Sequence, residues 1–393
     1  MKMNVGYSTN PDSFASGAET AKMAGSAKLG LFFTSCVMDQ NQLVKGVRSV
    51  MPNTPIIGCT SSAAIVVSGA GYLGNETGYS GMMSFDGDDL IVGVAGSERT
   101  GDPREVGKQI ARDAIRNAGI NKIPSYFYMV ASPKEEEEYL LGIQDVIGRV
   151  PMFGGSAADN TVEGKWSIIC GDKVFNDGCA VAFFYANNEC KTNYTGAYRE
   201  TDHVGIITEV RNKRTLVSID GVAALKKYAD WIGTTPDKLQ GSNLLTASIH
   251  KPLGVKNPTG TLTAIRHPMF GDGQNTKTYD DDVMNLGNHL VPKTAIIQME
   301  ATTDELIHSN YDALIELNAM MKKPAEGYFL VHCGGRRLGI AMDGREKEIY
   351  EEVKRAIGDK PFLMVFTFGE YGYRDHSANT CGGLSLSFTG FSK

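Results

Sequence analysis

No two cysteines in this sequence stand in a Cys-x-x-Cys pair. The seven cysteines, at 36, 59, 170, 179, 190, 333 and 381, are an odd number scattered along the chain. A disulfide framework or a structural zinc site needs paired, regularly spaced thiols, so neither is expected, and no metal and no cofactor is implied. The pattern fits free thiols in a reducing cytoplasm. No run of about 18 apolar residues occurs, so membrane insertion is not expected. Residues 1–13 lack the apolar core of a signal peptide. There is no Gly-x-x-x-x-Gly-Lys-[Ser/Thr] loop, which leaves nucleotide binding with little support. Basic excess is missing as well: the formal charge is -6, and nothing favours nucleic acid or an anionic membrane surface.

What is present starts with length. A chain of 393 residues is too long for one ordinary core, so two domains are expected. The polar stretch 189–200 marks the boundary, giving domains 1–195 and 196–393. Hydrophobic residues at 42% and charged residues at 21% are normal for a soluble globular protein.

The first domain repeats itself. Leu29–Ser35 reads as a buried strand, Asp39–Val50 as a helix with Leu43, Val47 and Val50 on one stripe, and Pro55–Ser62 as a short strand running into a small polar turn. Ninety-six residues later Tyr126–Ala131 is again a strand, Lys134–Ile147 a helix, and Pro151–Ala158 a strand into a small-residue turn. One ungapped register pairs Gly46 with Gly142, Pro55 with Pro151, Gly58 with Gly154 and Thr60 with Ser156. Asp86-Gly87 and Asp177-Gly178, each between apolar runs, predict a hairpin over 82–94 and another over 173–184. Duplicated strand–helix–strand–hairpin units, about 27–95 and 123–186, are therefore expected. Between them Asp102, Pro103 and Gly119 delimit a helix. The second domain repeats the theme more loosely. Tyr328–Cys333 is a strand ending in Gly334-Gly335-Arg336-Arg337, Arg345–Ile357 a helix, and Phe362–Phe368 a strand apolar throughout. The fold class is α/β (mixed α+β), with mixed sheets flanked by helices.

Several of these segments resemble the FIST family. Pro55–Ser62 looks like the glycine–serine turn of the FIST N-terminal domain, and Phe153-Gly-Gly-Ser-Ala-Ala-Asp159 like its second glycine-rich signature. His332-Cys-Gly-Gly-Arg-Arg337 and Phe366-Thr-Phe-Gly-Glu-Tyr-Gly372 look like elements of the FIST C-terminal domain, and residues 219–228 like the helix that opens it. His376, Asn379 and Thr380 match its closing element in part. The resemblance spans roughly 25–390. It implies an intracellular sensory module of signal transduction that binds a small ligand such as an amino acid. Such modules are often attached to output domains. None follows the last motif here, so a separate signalling output protein is the expected partner, and a homo-oligomer is left open.

The candidate site follows from chemistry at strand ends, where α/β proteins bind ligands. Gly58, Cys59, Thr60 and Ser61, and Gly154, Gly155 and Ser156, offer backbone N–H groups and small side chains that can hold a carboxylate or phosphate; a tight turn alone would also explain their glycines. Arg336 and Arg337 can grip a carboxylate bidentately. Gly369, Glu370, Tyr371, His376 and Asn379 add a carboxylate, an aromatic ring and hydrogen-bonding groups at the end of a core strand. An arginine beside Glu370 suits a zwitterion such as an amino acid, while a structural ion pair between them is the simpler alternative. Cys59 as a nucleophile, with His332 or His376 as base, or Glu370 as a catalytic acid, would instead make an enzyme of a small carboxylate-bearing substrate. No catalytic residue is assigned. The acidic run Glu135–Glu138 reads as an exposed helix start.

Overall fold

The computed structural model describes residues 1–256, 263–272, 282–373 and 378–393. The continuous apolar runs of the sequence become strands buried at every position, as strands covered on both faces must be. They sit in units that share one strand order.

The first unit contains β1 (Lys2–Ser8), α1 (Ser13–Ala24), β2 (Leu29–Ser35), α2 (Gln40–Val50), β3 (Ile56–Ser61), β4 (Ile65–Val67), β5 (Gly71–Leu73) and β6 (Ser80–Asp86). The second contains β7 (Ile91–Glu98), α3 (Pro103–Ala118), β8 (Tyr126–Ala131), α4 (Glu136–Ile147), β9 (Met152–Ser156), β10 (Ile168–Cys170), β11 (Lys173–Phe175) and β12 (Gly178–Tyr185). The third opens with β13 (Cys190–Thr195). It is interrupted by an inserted sheet made of β14 (Arg199–Arg211), β15 (Thr215–Ile219), β16 (Val222–Ala223), α5 (Ala224–Ile232), α6 (Asn243–Ser248), β17 (Leu253–Lys256), β18 (Thr263–Arg266), β19 (Pro268–Asp272), β20 (Val283–Leu286) and β21 (Ala295–Glu300). It resumes with α7 (Thr303–Met320), β22 (Ala325–Cys333), α8 (Gly334–Met342), α9 (Glu348–Ile357), β23 (Phe362–Thr367), β24 (Glu370–Gly372), β25 (Thr380–Gly382) and β26 (Leu386–Ser392).

Each unit builds a sheet around a parallel pair, β2–β3, β8–β9 or β22–β23. The unit's last strand lies antiparallel beside that pair, and its first strand forms the edge. Helices cover the outer face: Leu43 and Val47 of α2 pack with Phe32, Ile110 and Ile143 of α3 and α4 with Met129, and Leu314 and Val353 of α7 and α9 with Phe388. The inner faces share one core. Phe33 stacks on Phe329 at 5.3 Å, and Phe329 lies 5.8 Å from Phe153, so aromatic rings from all three sheets touch.

The sheets are completed by exchange. The hairpin β4–β5 leaves the first unit and pairs with β23 of the third. The hairpin β10–β11 of the second pairs with β3 of the first, and β24–β25 of the third pairs with β9 of the second. Three backbone hydrogen bonds close a ring where the units meet: Ser62 N–H to Phe366 O (2.8 Å), Ala158 N–H to Thr60 O (3.0 Å) and Phe368 N–H to Ser156 O (3.4 Å).

The mixed class, the two-domain arrangement and the duplicated strand–helix–strand–hairpin units hold. The hairpins themselves lie elsewhere than read. Asp86-Gly87 joins β6 to β7, which belong to different sheets, and Asp177-Gly178 stands between β11 and β12, also in different sheets. An Asp-Gly turn between apolar runs does not show which sheet each run enters, and here the parallel pairs compete for them. Gly69-Ala-Gly-Tyr-Leu-Gly74 has dinucleotide-loop spacing, but it spans the β4–β5 hairpin rather than a strand-to-helix turn, so it lends no support to a nucleotide. The Gly334–Arg337 segment, read as a strand end, is the first turn of α8. Helix ends behaved as their residues dictate: Asp102 accepts the Arg104 N–H at 2.8 Å, and Thr302 and Glu305 cap α7 reciprocally.

Candidate functional site

The 96-residue register has a steric basis. A Cβ on Gly58 would lie 1.8 Å from the Phe32 carbonyl oxygen, and one on Gly154 would lie 1.9 Å from that of Met129. In each unit the parallel neighbour presses its backbone against this point, and only glycine fits. Strand pairing extends the equivalence to the third unit. Ile168 lies opposite Cys59, Glu370 opposite Gly155 and Ile65 opposite Val365. Glu370 therefore stands where the other two exchanged hairpins carry isoleucine.

The candidate segments 58–61, 154–156 and 369–371 do converge, but as a buried floor. Thr60, Ser61, Ser156, Glu370 and Tyr371 are inaccessible to solvent. Ser61 Oγ donates to Ala64 O (2.6 Å) and accepts from the Phe366 N–H (2.9 Å), and the Tyr371 and Ser156 hydroxyls are 2.8 Å apart. Cys59 is sealed in the central core, where burial alone pushes its thiol far above the ordinary range. It does not line a cavity and cannot serve as an accessible nucleophile.

Glu370 and Arg336 form no ion pair. Glu370 accepts from Thr367 Oγ1 (3.1 Å), from the Ser385 N–H (3.0 Å) and from the Cys333 thiol. Burial pushes its carboxyl up to about 8, so it is mostly protonated at neutral pH. Arg336, fully buried, turns towards α7 and donates through Nη2 to Leu306 O (3.1 Å) and Ser309 Oγ (2.5 Å). The expected Arg336–Glu370 pairing fails because the start of α8 directs the two neighbouring arginines to different sides, a consequence of helical geometry that a loop reading could not contain. Asn379 lies at the far end of β9, donating to Val150 O (2.9 Å). His376 lies outside the described residues.

Arg337 is the candidate that faces open space. It lines a small chamber of about 60 Å³ together with Ser62, Asn160, His267, Asn288 and Cys333. Its Nη1 donates to the Tyr72 hydroxyl (3.2 Å), its Nε has no hydrogen-bond partner, and among the described residues no carboxylate pairs with it. Asn288 is 2% exposed. Its Nδ2 faces Glu137 Oε1 (3.5 Å) and Cys381 O (3.4 Å), both acceptors, which fixes the amide so that an unpartnered Oδ1 remains. Burial holds His267 down at about 4, hence neutral, with Nε2 3.2 Å from Leu245 O. The Cys333 thiol accepts the Leu384 N–H at 3.2 Å, and burial raises it.

The chamber adjoins a cleft of about 940 Å³, sharing Val162, Met269, Gly287 and Phe368 as walls. This cleft lies between the second unit and the inserted sheet. The acidic run is not exposed as its charge suggested, because it docks on that sheet. The Arg214 guanidinium donates to Glu137, to Gly287 O and to Lys134 O, and the His289 N–H donates to Glu137 Oε1 (3.0 Å). Glu136 is 2% exposed, and burial followed by the Glu137 charge raises its carboxyl to about 8. Asn288, Val162 and Phe368 were not legible as wall residues in the sequence. Phe368 alone had a local signal, as the last residue of the apolar run before Gly369.

A mixed fold of repeated units around a shared core, with a chamber and cleft against an inserted sheet, is what these elements define. The FIST N domain family model matches residues 28–222 and the FIST C domain family model matches residues 224–373. The chain therefore belongs to the FIST family, whose domains are sensory domains of signal-transduction proteins. No curated protein matches the chain. Among the described residues no helix is long and apolar enough to cross a membrane, and no cluster of three or more His, Cys, Asp or Glu could hold a metal ion.

Proposed function

We propose that this protein is a cytoplasmic sensor whose chamber takes the head group of a small amino-acid-like metabolite, without turning it over. One observation carries the reading: Arg337 and Asn288 line the same chamber, and each keeps a buried polar atom with no partner, the Arg337 Nε and the Asn288 Oδ1. A buried polar group left unpaired costs about 1–3 kcal/mol. A ligand with a carboxylate beside an ammonium or amide would pair both at once, the carboxylate on Arg337 and the N–H on Asn288 Oδ1. The segments 58–61, 154–156 and 369–371 then hold this chamber in shape rather than touch the ligand. Signalling would pass to a separate output protein through the inserted sheet, the other wall of the cleft.

The test is calorimetry on the purified protein with amino acids, after native mass spectrometry for a retained metabolite. Arg337→Gln should weaken binding by about 2 kcal/mol or more, the usual effect of stranding a buried charged partner. Affinity unchanged in that variant would remove the chamber as the site.

A further inference from the structure

The chamber and the cleft differ in what they leave unsatisfied, and that difference constrains the rest of the ligand. The chamber, about 60 Å³, is far smaller than the adjoining cleft of about 940 Å³, so a bulky side chain attached to a head group in the chamber would extend past the shared walls into the cleft. In the cleft most charges pair with one another or with neighbours, the exposed Lys134 being the exception among the described residues. Lys213 meets Glu138, Arg214 meets Glu137, Glu163 meets Lys165 at 2.6 Å, and Glu135 meets Arg99 at 3.5 Å. Glu136, beside Arg214, is buried. The apolar surface, by contrast, is not covered. Val162, held at φ 61, is 46% exposed, and Trp166, Phe368 and Met269 stand beside it, partly accessible. Trp166 and Phe368 meet edge to face at 6.2 Å, which leaves ring surface turned outward.

We infer that the ligand carries a large apolar or aromatic side chain, seated on Val162, Trp166, Met269 and Phe368 in the outer cleft while its head group occupies the chamber. The inference rests on the amino-acid reading of the chamber and narrows it to the phenylalanine, tryptophan and leucine class. Burying such a side chain removes apolar area from water on both partners. A cationic side chain would find each described carboxylate of the cleft already paired or buried, and an anionic one would find only the exposed Lys134 ammonium among the described residues, outside the apolar wall.

Calorimetry with L-phenylalanine, L-tryptophan, L-leucine, glycine, L-aspartate and L-lysine tests this. The apolar amino acids should bind roughly tenfold or more tighter than glycine, the scale set by a few methylenes in an apolar pocket. Val162→Asp, at an exposed position, should lower L-phenylalanine affinity on the order of tenfold and leave glycine unchanged. Glycine, aspartate or lysine binding as well as phenylalanine would overturn the side-chain inference while the chamber reading stands. Binding of none of the six would overturn both.

Discussion

The first two units and the third share one strand order but treat one position differently. Ile65 and Ile168 occupy it in the hairpins given away by the first two units, and Glu370 occupies it in the third. The isoleucines fill the core and have nothing to satisfy. Glu370 needs Thr367, Ser385 and Cys333 around it, all from its own unit. Repetition built the frame, and its one polar departure lies beneath the chamber, next to Cys333 and the start of α8.

The comparison can be broken most forcefully at the glycines. Gly58→Ala and Gly154→Ala should each destabilise by on the order of 3 kcal/mol, since the added methyl overlaps a neighbouring backbone oxygen. Gly154 should suffer more, because its φ of 140 is foreign to alanine. Urea unfolding measures both, and a harmless Gly154→Ala beside a damaging Gly58→Ala would refute their equivalence.

Converting the third unit to the pattern of the others is the next largest change. Glu370→Ile should destabilise by about 1–3 kcal/mol, because the Ser385 N–H and the Thr367 hydroxyl lose their acceptor. A variant as stable as the parent would mean that Glu370 is merely tolerated there.

The same carboxyl gives a pH signature that the isoleucines cannot. Glu370 and Glu136 are both raised from 4.5 to about 8 in the folded protein. Their contribution is complete below pH 4.5, where folded and unfolded chains are both protonated. It is lost as pH rises from there towards 8, because only the unfolded chain releases the proton. The fall is at most about 1.4 kcal/mol per pH unit for each group. Glu370→Gln and Glu136→Gln should each flatten the decline of stability between pH 5 and 8, as followed by urea titration at several pH values. An unchanged slope in both would show that neither carboxyl is raised.

The smallest effect is expected at Cys59. Cys59→Ala should leave ligand affinity within about twofold, since the thiol faces the core and makes no contact with the chamber. Iodoacetamide should leave Cys59 unlabelled in the native protein at neutral pH. Rapid labelling with loss of binding would restore the nucleophile reading.

Much of this architecture was written in local pattern. Continuous apolar runs were buried strands, helix stripes faced inward apart from Val50, which is exposed because it ends α2, and Asp102 and Gly119 ended their helix where side chain or backbone freedom allows. The 96-residue register was legible because both copies crowd a backbone against the same glycine. The candidate site was legible only as a neighbourhood. Motif residues 58–61, 154–156 and 369–371 met, yet the arginine that lines the chamber is Arg337, and the chamber's Asn288 lies in the loop after β20 of the inserted sheet, away from the motifs.

By itself, then, the sequence determined the elements, their repetition and the glycines at which they pack, because periodicity, capping and steric demand act within a few residues or one repeat. The tertiary structure alone decided which hairpin completes which sheet, since an apolar strand pairs with any free edge of matching register and the exchange satisfies three edges at once. It also decided that Arg336 and Arg337 part, one to α7 and the other to the chamber. Adjacent helical residues point about a quarter-turn apart, and only the surrounding packing sets which of them meets open space.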